Sequence, residues 1–176
     1  MCAVTFPAYG GKKMATLNRN NVMEYVEKYW KNANPSFFNY GDSDCTNFVS
    51  QCWNYGGIPQ TEGWHPADAF TGRLGGTSSW TVVTDFADYM VNNGIAEIKW
   101  SSTEAQVGDI IQFYNEVEGG WYHSAIVSGF DPVYGLTYAA HSDSHFHKPL
   151  SDVYLKPGKN GGIISEVRFI CPLKSE

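Results

Sequence analysis

Apolar positions in the first half of the chain recur at helical spacing. Val22, Tyr25, Val26 and Tyr29 share one face of a segment that Asn18 or Asn20 caps and that ends by Pro35. A second helix is predicted to begin near Asp44. Phe48, Val49, Cys52 and Trp53 form its apolar stripe, and Gly56-Gly57 with Pro59 stop it. A third is predicted from Trp80 to Asn92, with Ser78 or Ser79 as cap and Asn93-Gly94 as stop. Residues 60–79, rich in Gly, Ser and Thr around Trp64 and Trp80, read as a long surface loop. Residues 1–17 show no period and read as a loose arm, which leaves residues 18–176 as a single domain.

After residue 100 the period changes to that of strands. VGDIIQFY (107–114), WYHSAIVSGF (121–130), LTYAAHS (136–142) and SEVRFICPL (165–173) are separated by the turn signals EGG, DPVYG and KPGKNGG. Short connections between consecutive strands predict antiparallel pairing. Helices first and strands second predict an α+β fold, with the N-terminal helices packed on one face of a C-terminal antiparallel meander. The Gly-Gly pairs read as turns and stops, because none has the spacing or the lysine of a phosphate-binding loop.

Composition narrows the partners. Hydrophobic residues make up 43% and aromatics 15% of 176 residues, enough for a sizeable core. The net charge is -6 and no basic cluster exceeds Lys12-Lys13, so phosphate backbones and anionic membranes are poor candidate partners, and no nucleic acid is expected. No apolar run approaches the ~20 residues of a bilayer span, which excludes membrane insertion. Residues 1–20 lack the apolar core of a secretory leader. As it stands the chain reads as cytoplasmic, or as a cell-wall or extracellular protein whose leader was trimmed.

The four cysteines, Cys2, Cys45, Cys52 and Cys171, form no CxxC pair, which weakens zinc and thioredoxin-like readings. Cys45 and Cys52, seven residues apart on one helix, are separated by about 10 Å of rise, beyond the roughly 7 Å limit for a disulfide. Cys52 lies on the apolar stripe and reads as a small buried hydrophobe. Cys45 sits at the polar mouth of its helix, next to Asp44, Thr46 and Asn47. With Asp44 as N-cap, its sulfur lies beside unpaired backbone N–H groups at the positive end of the helix, which favours thiolate. Asp42 and Asp44 oppose that effect, so activation calls for a partner that can become cationic.

His123 is that candidate. On the strand 121–130 it shares a face with Ala125 and Val127, and the alternate face is not cleanly polar, so the sheet is covered on both sides. Thr137, Ala139 and His141 share a face of the next strand, and Asp143 continues it if that strand extends. If residues 130 and 136 oppose each other, paired positions sum to 266 and His123 faces Asp143 with His141 on the diagonal. A shift of two places brings His141 opposite instead, so either residue is in reach to orient the His123 ring. The run HSDSHFH, with His141, His145 and His147, lacks helical metal-ligand spacing and an obvious fourth ligand. It reads as a polar loop, and no metal or organic cofactor is expected.

These residues resemble a known family. GDSDCTNFVSQCWNYGGIP, followed in order by SSW, VGDIIQFY, HSAIVSGF and YAAHS, is similar to the Gram-positive family described as "Putative amidase domain", across roughly residues 18–172. GDIIQF before HSAIV is also similar to the broader NlpC/P60 and CHAP group of papain-like cysteine hydrolases. The resemblance implies a papain-like fold with Cys45 as nucleophile, His123 as general base and His141 as the third polar residue. Relatives often carry an Asp three residues beyond that histidine, where this chain has Ser144 with Asp143 one place earlier. The implied activity is amide hydrolysis through a thioester. The oxyanion would be held by the Cys45 N–H and a second donor from the preceding segment, for which Tyr40 is the candidate. The implied partner is a peptide, a peptidoglycan fragment or a small amide. Trp64, Trp80, Trp121 and Tyr122 are candidates to line its cleft. The alternatives are an acyltransferase or transpeptidase using the same Cys–His pair, or an inactive binding module.

Overall fold

The computed structural model describes residues 15–67, 76–117, 119–155 and 164–176. Most of the expected arm, with Cys2, lies outside these residues, as do residues 68–75 of the expected loop. Leu17, the last residue assigned to the arm, is fully buried. Its N–H donates to the Lys174 carbonyl and its own carbonyl accepts from the Glu176 N–H, both at 2.9 Å.

α1 (Arg19–Tyr29) is capped by Asn18, whose side chain accepts from the Asn21 N–H, and it buries Val22, Tyr25 and Val26. α2 (Cys45–Tyr55) is buried along its whole length from Cys45 to Trp53, polar residues included. Buried polar groups must be hydrogen-bonded to be tolerated. Ser50 Oγ donates to the Trp80 carbonyl at 2.9 Å, and Gln51 Oε1 accepts from the Tyr25 hydroxyl at 2.6 Å. The run that looks like one amphipathic face in sequence is therefore the central helix of the molecule.

The expected helix from Trp80 to Asn92 is two helices, α3 (Ser78–Thr81) and α4 (Val83–Asn92). Val82 between them is extended, at φ -107 and ψ 131. Thr81, Val82 and Val83 are consecutive β-branched residues with stiff side chains, and the helix breaks there. The loop expectation is corrected in one respect. Trp64 and Trp80 are fully buried against each other, with ring centroids 4.5 Å apart, and belong to the core.

The strands are β1 (Ala96–Lys99), β2 (Ile110–Asn115), β3 (Gly120–Asp131), β4 (Gly135–Ala140), β5 (His145–Pro149) and β6 (Ile164–Pro172); α5 (Ser151–Leu155) precedes the last. They form one antiparallel sheet in the order β1-β6-β2-β3-β4-β5. The fold is thus α+β, but not a simple meander, because β6 returns to pair with β2. β1 and β5 escape sequence patterning because they are short edges bearing Glu97, Lys99, Lys148 and Pro149, the residues that blunt an edge. The HSDSHFH segment correspondingly contributes a strand rather than only a loop.

One face of the sheet, with Ile110, Ile126, Ala139 and Ile170, packs on α1, α2 and α4. The other, with Ile111, Phe113, Ala125, Val127, Tyr138 and Phe169, is covered by Ala105, Leu150 and Val153. β3 carries two irregularities. The pairing Phe113↔His123 steps to Tyr114↔Trp121 across Tyr122, and Val127↔Tyr138 steps to Gly129↔Thr137 across Ser128. The second corrects the expected register. The sum of 266 holds only up to Ser128. Beyond it, Ile126 faces Ala139, one residue out of step. A one-residue slip moves every following side chain to the other face. No helix among the described residues is long and apolar enough to cross a membrane.

Candidate active site

Cys45 is the first residue of α2 and Asp44 occupies the N-cap position, yet no side chain caps the helix. The Asp44 carboxylate turns back instead. Its Oδ1 accepts from the Tyr40 N–H at 2.9 Å and from Asn47 Nδ2 at 2.8 Å, and its Oδ2 lies 2.7 Å from His141 Nδ1. The first-turn N–H groups of α2 are thereby left beside the sulfur without a competing carboxylate.

The Cys45 side chain is buried, and burial alone would push its thiol up. A hydrogen bond and positive charge from His123, the Ser124 backbone N–H and the Thr46 hydroxyl outweigh this, and the thiol falls from its ordinary 9.0 to about 7. Cys52 differs in the expected way: it is fully buried, and burial pushes its thiol well up. Burial, with Asp109 nearby, also pushes up Cys171. Cys45, Cys52 and Cys171 all carry free thiols.

His123 follows the bulge at Tyr122, and bulges beside functional sites re-aim side chains. Its half-buried ring packs on Phe113, with centroids 5.6 Å apart. The structure thus brings Cys45 and His123 together. It does not turn His141 toward His123. After the Ser128 bulge, His141 falls on the helix side of the sheet, stacked on Phe48 at 4.0 Å between ring centroids. Its Nδ1 meets Asp44, and its Nε2 lies 2.6 Å from the Tyr29 carbonyl. Both partners are acceptors, so each ring nitrogen faces a group that can only accept.

Asp143 is largely exposed and lies 2.9 Å from His145 Nε2. Burial is the largest single influence and raises its carboxyl, but His145, Lys148 and His123 together outweigh it and hold the carboxyl below the usual range. Tyr40 packs edge-on against Phe38 and spends its backbone N–H on Asp44, so that N–H is not free for an oxyanion. Of the candidate cleft aromatics, Trp121 and Tyr122 are half-buried beside His123. Among the described residues no three metal-ligating side chains converge.

Sequence reasoning missed two features. Asp44 is a hub rather than a cap, and Asn47 extends it, accepting from Trp80 Nε1 at 2.8 Å while donating to the Phe38 carbonyl. Ser142, in the left-handed region at φ 73, accepts from the Asp44 N–H and donates to the Gly41 carbonyl. Holding a serine there carries a conformational cost, repaid by a bond at each end of the turn that precedes Cys45. The only signal in the sequence was that polar residues sit where a buried helix needs them satisfied.

A family model described as "Putative amidase domain" matches residues 16–163. Two Bacillus subtilis (strain 168) proteins are similar to this chain. The uncharacterized protein YhbB is 32% identical over 120 residues, 65% of this chain and 38% of its own length. The uncharacterized protein YjcM is 30% identical over 147 residues, 78% of this chain and 34% of its own length. The chain therefore spans little more than a third of the curated relatives it matches. No solved structure matches it.

Proposed function

We propose, from the premise that this chain belongs to the family described as "Putative amidase domain", that it is a cysteine-dependent amide hydrolase. Cys45 acts as nucleophile and His123 as its base. One observation carries this reading: a thiol at the first residue of a buried helix, hydrogen-bonded to a histidine and lowered to about 7. A helix that presents a cysteine across an antiparallel sheet carrying the histidine also supports the papain-like reading.

In this mechanism the thiolate attacks the amide carbon and His123 holds the proton. The oxyanion lies against N–H groups at the start of α2, which the turned-away Asp44 carboxylate leaves uncapped. His123 gives its proton to the leaving amine as the C–N bond breaks, and a thioester remains on Cys45. His123 then takes a proton from water, hydroxide adds to the thioester, and the acid leaves with the thiolate restored. Asp143 contributes negative charge on the His123 side. The Asp44–His141 pair holds the turn before Cys45. The substrate is a peptide amide, of the stem-peptide kind found in peptidoglycan or a smaller one.

The test is hydrolysis of a panel of stem-peptide fragments and short peptide amides by the wild type and by Cys45→Ala. The variant is expected to keep its fold and lose turnover. Full activity in Cys45→Ala overturns the reading.

A further inference from the structure

Four buried polar residues lie in a line across the helix side of the sheet, from β6 to the start of α2. Arg168 Nε donates to Gln112 Oε1 at 2.9 Å, and Gln112 Nε2 donates to Ser124 Oγ at 3.3 Å. Ser124 Oγ lies 3.1 Å from Thr46 Oγ1, and Thr46 Oγ1 lies 3.7 Å from Cys45 Sγ. Gln112 and Arg168 face each other in the β2–β6 pairing, and Gln112 faces Ser124 in the β2–β3 pairing. Ser124, Gln112 and Thr46 are fully buried, so no water competes for these bonds.

The hydrogen-bond direction along this line is determined by its far end. The Gln112 amide has one chemically consistent orientation. Its oxygen must face Arg168, which only donates, and its nitrogen must face the Val83 carbonyl, which only accepts, at 2.7 Å. The second amide hydrogen then points at Ser124, whose oxygen accepts it. The Ser124 hydroxyl hydrogen is left to donate to Thr46, and the Thr46 hydroxyl hydrogen to donate to sulfur. Every donor in the line points toward Cys45.

We propose that Arg168, Gln112, Ser124 and Thr46 form a buried donor chain that stabilises the Cys45 thiolate, with Thr46 as the positioning residue in contact with the sulfur. The inference rests on the reading of Cys45 as the nucleophile. Bonds aligned in one direction polarise one another, and bonds to a charged acceptor are the strong ones. The cation at the far end suits this role. Its guanidinium carbon lies 4.2 Å above the centre of the Trp121 ring, and among the described residues its Nη2 has no hydrogen-bond partner. Titratable groups near the sulfur end of the line include His123 on β3, Asp44 and His141 at the helix mouth and Asp143 beyond β4. Asp88 and Glu166 face Arg168.

The experiment measures the rate of Cys45 alkylation by iodoacetamide, mapped by peptide mass spectrometry, from about pH 5 to 10. It uses the whole chain as wild type, Thr46→Val, Thr46→Ser and Gln112→Glu. Thr46→Val keeps the side-chain shape and removes the donor. Gln112→Glu keeps the bond to Arg168, gives up the donor to the Val83 carbonyl and offers Ser124 an acceptor, so the Ser124 hydrogen turns away from Thr46. Both are expected to move the alkylation midpoint upward by about one pH unit. Thr46→Ser, which retains the hydroxyl, is expected to leave it at the wild-type position. A Thr46→Val midpoint coincident with wild type overturns the donor chain. Failure of the nucleophile reading is distinguishable: it appears as a wild-type Cys45 with no low midpoint, together with amide hydrolysis that survives in Cys45→Ala.

Discussion

Asp44 Oδ2 lies 2.7 Å from His141 Nδ1, so the residue just before Cys45 is paired with the histidine expected beside His123. Both side chains are nearly inaccessible, at 3% and 8% exposure. The pair joins α2 to the end of β4, and the second ring nitrogen of His141 extends the tie to the C-terminal end of α1.

Removing His141 takes the ring partner from the buried Asp44 carboxylate, which then keeps only the Tyr40 N–H and Asn47 on its other oxygen. His141→Ala is therefore expected to destabilise the fold by about 3–5 kcal/mol. Asp143→Ala, at an exposed position, is expected to leave stability within about 0.5 kcal/mol of wild type. Chemical denaturation of both variants measures this. A His141→Ala variant as stable as wild type but as slow as His123→Ala would return His141 to the role of orienting His123.

Ionisation of Cys45 makes stability depend on pH in a defined direction. The folded thiol sits at about 7, below the ordinary 9.0 of an unfolded chain. Its contribution is thus fully present above pH 9.0, shrinks as pH falls and is lost on passing through about 7. The full difference is on the order of 2–3 kcal/mol. Denaturation of wild type and Cys45→Ala side by side should show the wild type gaining on the variant as pH rises through that interval. Parallel stability curves would mean that the thiol is not held low.

Cys52 offers a control within the same helix. It is fully buried in the main core, so Cys52→Ala leaves a small cavity and is expected to cost about 1–2 kcal/mol. Amide hydrolysis per folded molecule should be unchanged. Loss of turnover in a folded Cys52→Ala would require a role for this thiol that its burial does not suggest.

Much of this was legible in the sequence wherever the signal was local. A cap at Asn18 or Asn20 for α1, Cys45 as the opening of α2 and a face shared by His123, Ala125 and Val127 all followed from spacing, and Asn18 is the cap. What was not legible depended on non-local pairing. A single inserted residue at Ser128 carries His141 to the opposite face from the one the uninterrupted alternation gives it. The return of β6 beside β2, which brings Arg168 to Gln112, leaves no trace in the period of either strand. Trp64 and Trp80 sat in a stretch whose composition reads as loop, and only their packing reveals them as core. The break at Val82 was in principle visible as three β-branched residues in a row.

The central claim is that His123 keeps Cys45 ionised as a nucleophile. It is tested most directly by mapping alkylation rates of all the cysteines in wild type and His123→Ala at about pH 6.5. Wild-type Cys45 is expected to react at least about tenfold faster than Cys52 and Cys171, and His123→Ala to erase most of that advantage. Equal slow reaction of the wild-type cysteines, or a Cys45 as reactive without His123 as with it, would contradict the account.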